Sequence, residues 1–453
     1  MVSASTVETG PGETSHPSFA EATRVWATIG LLSFGGPAGQ IALMHRILVD
    51  ERRWISEPRF LHALNFCMLL PGPEAQQLAT YVGWLLHGTR GGVVAGTLFV
   101  LPGLAVILGL STLYAVYQDT GWLEGIFFGL KAAVLAIVID AVIRIGRRAL
   151  KSRFAGILAA IAFVAIFVFG VPFPVIVILA GLAGYLRARM APGEGTAVAE
   201  GESKALEPDR LHSSETTRSG AIRVIATWGA LWAAPIVGFA LLGGWESIYP
   251  RLALFFSWLA VVTFGGAYAV LAYVADAAVS SFGWLSAGEM LDGLAMAETT
   301  PGPLIIVLSY VGYMAAFRGA TGLDPVAAGL IGGLLTAWVT FVPCFLWIFL
   351  GAPYVEKLRG NLRLSGALSA ITAAVVGVIL NLALWLGLHV LFREVGVLEI
   401  GLARPAWPVW GSVDPWAVGL MVVAIVALFR FRLGVIPTLA ICAGLGLLVR
   451  FLA

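Results

Sequence analysis

The stretch from Phe34 to Glu74 decides the fold of this chain, because its landmarks are present twice. It begins Phe34-Gly35-Gly36-Pro37 and ends Leu69-Leu70-Pro71-Gly72-Pro73-Glu74. The same landmarks return at a constant offset of 230 residues as Phe264-Gly265-Gly266 and Pro301-Gly302-Pro303. A repeat at a fixed offset indicates two homologous halves, so we interpret the two stretches together.

The composition places the chain in a membrane. Of its 453 residues, 59% are hydrophobic and only 12% are charged, and several apolar runs are too long for a soluble core. The sequence therefore predicts an all-α polytopic membrane protein surrounded by the lipid bilayer. A formal net charge of +2 is too small, over this length, to indicate nucleic-acid binding.

The cysteines and histidines give no sign of a metal site. Cys67, Cys344 and Cys442 lie far apart and each within an apolar stretch, so neither a disulfide framework nor a metal knuckle is expected. The six histidines show no ligand spacing on a shared face. No motif for nucleotide binding or covalent catalysis stands out. We therefore expect a protein that is not an enzyme and uses no cofactor.

Changes in composition divide the chain into five segments. A polar tail, residues 1–18, precedes a first repeat domain at 19–189. The segment 190–221 is rich in Gly, Glu, Ser and Thr, cannot bury enough apolar surface to fold alone, and is predicted to be a cytoplasmic linker. One additional apolar helix, 222–243, then precedes the second repeat domain at 244–453.

The helical patterns around each break are short. Residues at about 19–33 and 38–50 flank the first Phe-Gly-Gly, and residues at about 57–70 and 74–88 flank the first Pro-Gly-Pro. Each pattern is roughly 20 to 23 Å long, less than the roughly 30 Å hydrocarbon core of a bilayer. Each pair is therefore predicted to be a broken helix or a re-entrant hairpin. The sequence leaves open whether these pairs span the membrane.

Longer helices follow in both halves. They are predicted near 91–117, 124–148, 154–170 and 173–189 in the first half, and near 325–350, 364–392, 414–430 and 434–451 in the second. These lengths suit membrane spans.

The single extra helix inverts the second half, because each short pair leaves the parity of membrane crossings unchanged. The loop from His45 to Arg53 is basic, whereas its counterpart from Asp276 to Glu289 contains no Lys or Arg. The densest basic loop, 144–153, falls on the same side as the linker, which is therefore predicted to be the cytoplasm. The prediction is two homologous halves in inverted topology, with a cytoplasmic N-terminus and a periplasmic C-terminus.

The breaks are the candidate substrate site. A helix that begins after Pro73 or Pro303 leaves N–H groups unpaired, and its dipole favours an anion at that end. If the breaks of both halves lie near the midplane, they form one central site, as in inverted-repeat transporters. The alternative is that Gly and Pro only permit tight helix packing. The candidate substrate-binding residues at the breaks are Gly35, Gly36, Gln40, Pro71, Gly72, Pro73, Gly265, Gly266, Thr300, Pro301, Gly302 and Pro303.

Ionisable residues at membrane depth need an explanation, because a charge in lipid is costly. Glu74 and Glu298 flank the two Pro-Gly-Pro breaks and are candidate substrate or proton acceptors; the alternative for Glu74 is a first-turn acid that complements the helix dipole. Lys131 is the most deeply placed cation, suited to attract an anion or neutralise Glu74, with snorkelling as the alternative. Asp140 is expected to pair with Arg144 at i+4.

These motifs resemble the chromate ion transporter (CHR) family in its long two-domain form. Phe34 to Pro37, Glu51 to Trp54 and Leu69 to Ala79 resemble its N-terminal signature, and Phe264 to Tyr268 and Thr299 to Pro303 resemble its C-terminal one. The resemblance covers essentially residues 20–188 and 245–450. It implies a bacterial inner-membrane protein of two inverted homologous domains that exports chromate, confers chromate resistance and meets sulfate as a competitor.

The leading hypothesis is a secondary transporter that moves chromate outward by alternating access, with Lys131 assisting the free amides. Sulfate or another tetrahedral oxyanion is the alternative substrate, because no residue distinguishes a chromium centre from a sulfur centre in the same dianion. An anion channel would show sustained single-channel currents, and a sensory or scaffolding protein would show no flux. A homodimer is compatible with the sequence.

Overall fold

The computed structural model describes residues 16–118, 120–190, 218–264, 267–320, 322–352, 362–401 and 403–452. Most of the predicted linker lies outside these residues, as do Gly265 and Gly266 of the second Phe-Gly-Gly. The described part is almost entirely helical, and the chain is an all-α polytopic membrane protein.

The first half consists of seven helices. Their bounds are α1 Phe19–Leu32, α2 Gly36–His45, α3 Glu57–Cys67, α4 Glu74–Tyr117, α5 Gly121–Ala149, α6 Arg153–Phe169 and α7 Phe173–Met190. A π-helical turn, Arg46–Glu51, extends α2, and non-helical dihedral angles at His87 and Gly88 kink α4 into two segments. The chain is interrupted at both predicted breaks, where Gly and Pro disfavour a continuous helix.

The second half repeats this order after the additional helix α8, Arg218–Gly243. Its helices are α9 Ile248–Val262, α10 Ala267–Asp276, α11 Ala287–Thr299, α12 Val307–Gly319, α13 Pro325–Gly351, α14 Leu362–Leu391, α15 Pro415–Ile425 and α16 Val435–Leu452. A 3-10 turn, Leu304–Ile306, leads into α12, and π-helical turns extend α10 and α15. The antiparallel strands β1, Val395–Val397, and β2, Ala406–Pro408, lie between α14 and α15 and are not predicted from the sequence.

Local sequence explains where several helices begin. Ser18 and Asp324 cap α1 and α13 by accepting hydrogen bonds from backbone N–H groups, and Ser286 forms a capping box with Glu289 at the start of α11. Apolar composition then carries seven helices to lengths that can cross a bilayer. These are α4, α5, α7, α8, α13, α14 and α16.

The short helix pairs of the first half are hairpins that return to the face where they begin. Arg52, just after the turn that extends α2, pairs with Glu21 in the first turn of α1 at 3.3 Å. His87, at the kink of α4, lies with Nε2 3.1 Å from the carbonyl oxygen of Pro17, just before α1. The ends of α1–α2 and of α3–α4 therefore share one face of the molecule, which we call the first face.

The second half forms the same hairpins from another face. Arg318, near the end of α12, pairs with Glu289 in the first turn of α11 and donates to the Trp284 carbonyl. A Cβ placed on Gly319 would lie 3.4 Å from Cγ1 of Ile248, the first residue of α9. The ends of α9–α10 and of α11–α12 therefore share what we call the second face.

Equivalent helices of the two halves run antiparallel. Along α4 and α13, Gly96 packs against Phe345 near the first face, whereas Leu108 packs against Gly333 near the second. The equivalent helices α5 and α14 also pack antiparallel. The two faces therefore lie at opposite ends of the long helices, which is the relation that an inverted repeat requires. The orientation of the halves in a membrane stays a prediction.

The halves are interlocked. Helix α5 packs against α15 and α16, and its equivalent α14 packs against α6 and α7. Small residues allow this close approach, because Gly129 faces the Cys442 backbone and Gly377 faces the Ala159 backbone. Helix α8 lies at the periphery against α9 and α13 and is mostly exposed. Such reciprocal contacts are those of a two-fold arrangement, and they place the breaks at the centre.

Candidate functional site

Two equivalent hydrogen bonds join the breaks of the two halves. The Gly72 N–H donates to the carbonyl of Thr263 at 2.9 Å, and the Gly302 N–H donates to the carbonyl of Ser33 at 2.8 Å. Each bond links a Pro-Gly-Pro break to the residue just before the Phe-Gly-Gly of the other half. Gly72 and Gly302 have φ angles of 117° and 88°, which residues with side chains rarely adopt. The described residues flanking all four breaks therefore lie together.

Side chains of Gln40 and Tyr268 reinforce this centre. The Gln40 amide Nε2 donates to the Gly302 carbonyl at 2.5 Å. The Tyr268 hydroxyl donates to Oε1 of Glu298 at 3.0 Å, and a Cβ placed on Gly36 would lie 3.6 Å from that hydroxyl oxygen. Gln40 and Glu298 are buried. The structure thus brings Gly36, Gln40, Glu298 and Gly302 together, as the candidate site requires.

The start of α4 forms the other side of the centre. Glu74 is half-buried and directly follows the first break. The Gln77 amide Nε2 donates to the Pro71 carbonyl at 2.6 Å, and a Cβ placed on Gly72 would lie 2.9 Å from this nitrogen and 3.0 Å from the sulfur of Cys344. The first break is therefore enclosed by side chains of α4 and α13.

The first N–H groups of α4 are available for a ligand. The helix begins after Pro73 without a side-chain cap. The Gln77 N–H is the first to bond along the helix, donating to the Pro73 carbonyl at 3.1 Å. The N–H groups of Glu74, Ala75 and Gln76 consequently have no acceptor within the helix, which is the general property of helix starts that favours anions.

The remaining break residues have local partners. The Thr300 hydroxyl donates to the Met296 carbonyl at 2.6 Å, so this side chain is directed back into its own helix. A Cβ placed on Gly103 would collide with the Pro301 carbonyl, because α4 packs directly on the second break. Gly35 lies at the start of α2 with a φ angle of 84°. Gly265 and Gly266 lie outside the described residues, so their place in the site stays a prediction.

Lys131 does not neutralise Glu74, contrary to one sequence-based expectation. Its ammonium Nζ lies 3.0 Å from Oδ1 of Asp292 on α11, and the Tyr114 hydroxyl donates to Oδ2 of the same carboxylate at 2.8 Å. The Lys131 side chain is 24% exposed and that of Asp292 only 8%. A cavity of about 250 Å³ lies beside this ion pair. Lys131 is therefore held by a nearby carboxylate, which a ligand would have to displace.

Asp140 pairs with Arg144, as their spacing predicts. The Arg144 guanidinium also interacts electrostatically with the buried Glu298 and with Tyr268. Helix α5 thus places positive charge on both sides of α11, with Lys131 beside Asp292 and Arg144 beside Glu298.

Sequence reasoning missed Asp292 and Tyr114. Asp292 is an ionisable residue within the apolar α11, six positions before Glu298, so the argument from buried charge that selected Glu298 applies to it equally. Nothing local in the sequence marks Tyr114, because its partner Asp292 is 178 residues away in the chain.

Comparison with known proteins agrees with these motifs. A family profile described as "Chromate transporter" matches residues 20–185 and 250–447. A "Chromate transport protein" of Pseudomonas aeruginosa is 35% identical over 380 residues, covering 83% of this chain and 82% of that protein. A "Probable chromate transport protein" of Synechococcus elongatus is 28% identical, covering 82% of this chain and 86% of that protein.

A third relative, a "Chromate transport protein" of Cupriavidus metallidurans, is 26% identical and covers 78% of each chain. No solved structure matches this chain significantly. The family profile matches both homologous halves and contains both pairs of helix breaks, so the repeat that organises the candidate site is shared with the family. On these grounds the chain belongs to the chromate transporter family.

Proposed function

We propose that this protein exports chromate across the bacterial inner membrane by alternating access and thereby confers chromate resistance. The observation that carries the proposal is the reciprocal pair of hydrogen bonds from Gly72 and Gly302, which gathers the breaks of both halves into one centre. Chromate transport is the activity named for its relatives. In this proposal the centre is where the anion binds.

The chemistry of the centre suits an oxyanion. A dianion that leaves water needs hydrogen-bond donors, and the first N–H groups of α4 supply them without adding a counter-charge. The positive end of the helix dipole lies at the same point. Lys131 and Arg144 flank α11 and are both paired with acids, so we assign them a supporting role along the path of the anion.

The arrangement of the hairpins supports alternating access. Hairpins α1–α2 and α3–α4 come from the first face, and α9–α10 and α11–α12 come from the second. Movement of either set relative to the long helices would open the centre to one face only. We assign the first face to the cytoplasm, because it carries the basic loop that contains Arg52 and Arg53.

The membrane potential supplies a driving force for export. A charge that crosses about 100 mV changes in free energy by about 2.3 kcal/mol, so a dianion leaving a negative interior gains about 4.6 kcal/mol. Export by uniport is therefore sufficient. A proton on Glu74 would remove the repulsion between its carboxylate and a bound dianion, so we propose Glu74 as the first candidate for proton coupling and Glu298 as the second.

The test is chromate uptake into inside-out membrane vesicles under an imposed potential, with sulfate and phosphate as competitors. Saturable accumulation that collapses with the potential and is inhibited by sulfate supports chromate export. Accumulation of sulfate in preference to chromate would assign the site to sulfate, the other tetrahedral dianion. The absence of flux of either anion, with correctly inserted protein, would contradict the proposal.

A further inference from the structure

The two Pro-Gly-Pro breaks are equivalent in position but not in chemistry. At the repeat offset of 230 residues, three polar side chains after the first break are matched by apolar ones after the second. The pairs are Glu74 and Leu304, Gln76 and Ile306, and Gln77 and Val307. The first half therefore presents polar groups at a position where the second half presents only hydrocarbon.

The polar side chains of the first half contain unpaired atoms. Gln76 and Gln77 are 0% exposed. Within the described part of the chain, the amide oxygen Oε1 of each has no hydrogen-bond partner. The Gln77 amide lies against Gly72 and is therefore directed at the break. Buried polar groups in native proteins are normally paired, so two unpaired amides beside an uncapped helix start point to a ligand.

The backbone differs as well. In the second half the Ile306 N–H already donates to the Pro303 carbonyl at 2.9 Å, because the chain begins as a 3-10 turn. In the first half the equivalent N–H, that of Gln76, has no such bond, and the first bonded N–H belongs to Gln77. The start of α4 thus offers one more free N–H group than its counterpart.

Access also distinguishes the two starts. Met68, before the first break, is 54% exposed, whereas its counterpart Glu298 is 4% exposed. Pro71 and Glu74 are half-buried, while residues 300–316 of the second half are all buried. An anion can approach the start of α4 without rearranging a packed apolar core, which is not true of the start of α12.

We propose that the two halves are not equivalent in substrate binding. One tetrahedral oxyanion is held at the start of α4 by the free N–H groups of Glu74, Ala75 and Gln76 and by the amides of Gln76 and Gln77. The start of α12 is an apolar counterpart that closes the centre and binds no anion. This inference rests on the proposed function, and it names which of the two matched breaks holds the substrate.

The test uses matched truncations at equivalent buried positions of the full-length protein. Gln77→Ala and Val307→Ala are compared with wild type for equilibrium binding of radiolabelled chromate and sulfate in detergent micelles. Gln77→Ala should weaken binding about tenfold or more, the effect of one hydrogen bond to a charged group. Val307→Ala should change affinity by less than about twofold, since it removes no donor.

A second pair, Gln76→Ala and Ile306→Ala, should behave in the same way and replaces the first pair if a variant fails to fold, as judged by size-exclusion chromatography. Equal weakening by first-half and second-half variants, or wild-type affinity in both glutamine variants, would overturn the asymmetry while leaving anion transport intact. If wild-type protein neither binds nor moves chromate or sulfate, the proposed function itself fails and the asymmetry fails with it.

Discussion

The ion pair between Lys131 and Asp292 should be among the strongest polar contacts between α5 and α11. It is secured by the Tyr114 hydroxyl and is mostly shielded from water, with exposed side-chain fractions of 24% and 8%. Removing one partner of such a pair leaves the other charge in a poorly solvated place. We predict that Lys131→Met and Asp292→Asn each destabilise the folded protein, whereas the double variant costs less than the sum of the two.

The magnitude follows from the exposure of the charge that is left behind. Breaking a fully buried pair costs about 3–5 kcal/mol. Lys131→Met strands the better-buried Asp292, which keeps only Tyr114, and should cost about 3 kcal/mol, or more than about a hundredfold in the folded-to-unfolded ratio. Asp292→Asn strands Lys131, which can reach water through its exposed quarter, and should cost about 2 kcal/mol.

The assay is reversible unfolding of the purified protein in mixed micelles for wild type, the two single variants and the double variant. A coupling energy of about 2 kcal/mol is expected. The control is Arg404→Met, because its pair with Glu399 spans 3.7 Å with both side chains 71% exposed and should contribute less than about 1 kcal/mol. A coupling energy no larger than that of the control would refute the reasoning from burial.

Three further predictions concern transport and orientation. Gly72→Leu and Gly302→Leu should each abolish chromate flux in vesicles without preventing insertion, because both positions have positive φ angles and lie at the centre; near-normal flux in either would remove that glycine from the site. Glu74→Gln should make flux independent of pH if Glu74 carries the proton, and an unchanged pH profile would leave it as a first-turn acid that complements the dipole. Cysteines at the equivalent positions Arg53 and Gly283 should be labelled from the cytoplasm and the periplasm respectively by an impermeant reagent, and labelling of both from one side would contradict the inverted topology.

Most of the helical framework could be predicted from the sequence. The helix expected at 124–148 is observed as α5, Gly121–Ala149, and the break expected at Pro-Gly-Pro separates α3 from α4. These successes have a simple cause, because long apolar runs must be helical in lipid and Gly and Pro interrupt them locally. The hairpin of β1 and β2 was missed, since its strands are only three residues each.

The candidate site could be predicted only in part. The repeat identifies the breaks, but the return of each hairpin to its own face depends on tertiary contacts such as Arg52 with Glu21. Lys131 was expected to act on an anion or on Glu74, and only the folded chain shows that Asp292, 161 positions later, lies beside it. A single sequence offers no local signal for such a pairing, because the partner is set by how helices pack and not by spacing along one helix.

The most direct test of the central claim is potential-driven chromate flux in proteoliposomes that contain the purified protein, measured for wild type and Gly72→Leu. The proposal that the breaks form the transport site predicts saturable flux for wild type that follows the imposed potential, is inhibited by sulfate, and is absent in the variant. Equal flux in wild type and variant, or flux that ignores the potential and does not saturate, would contradict it.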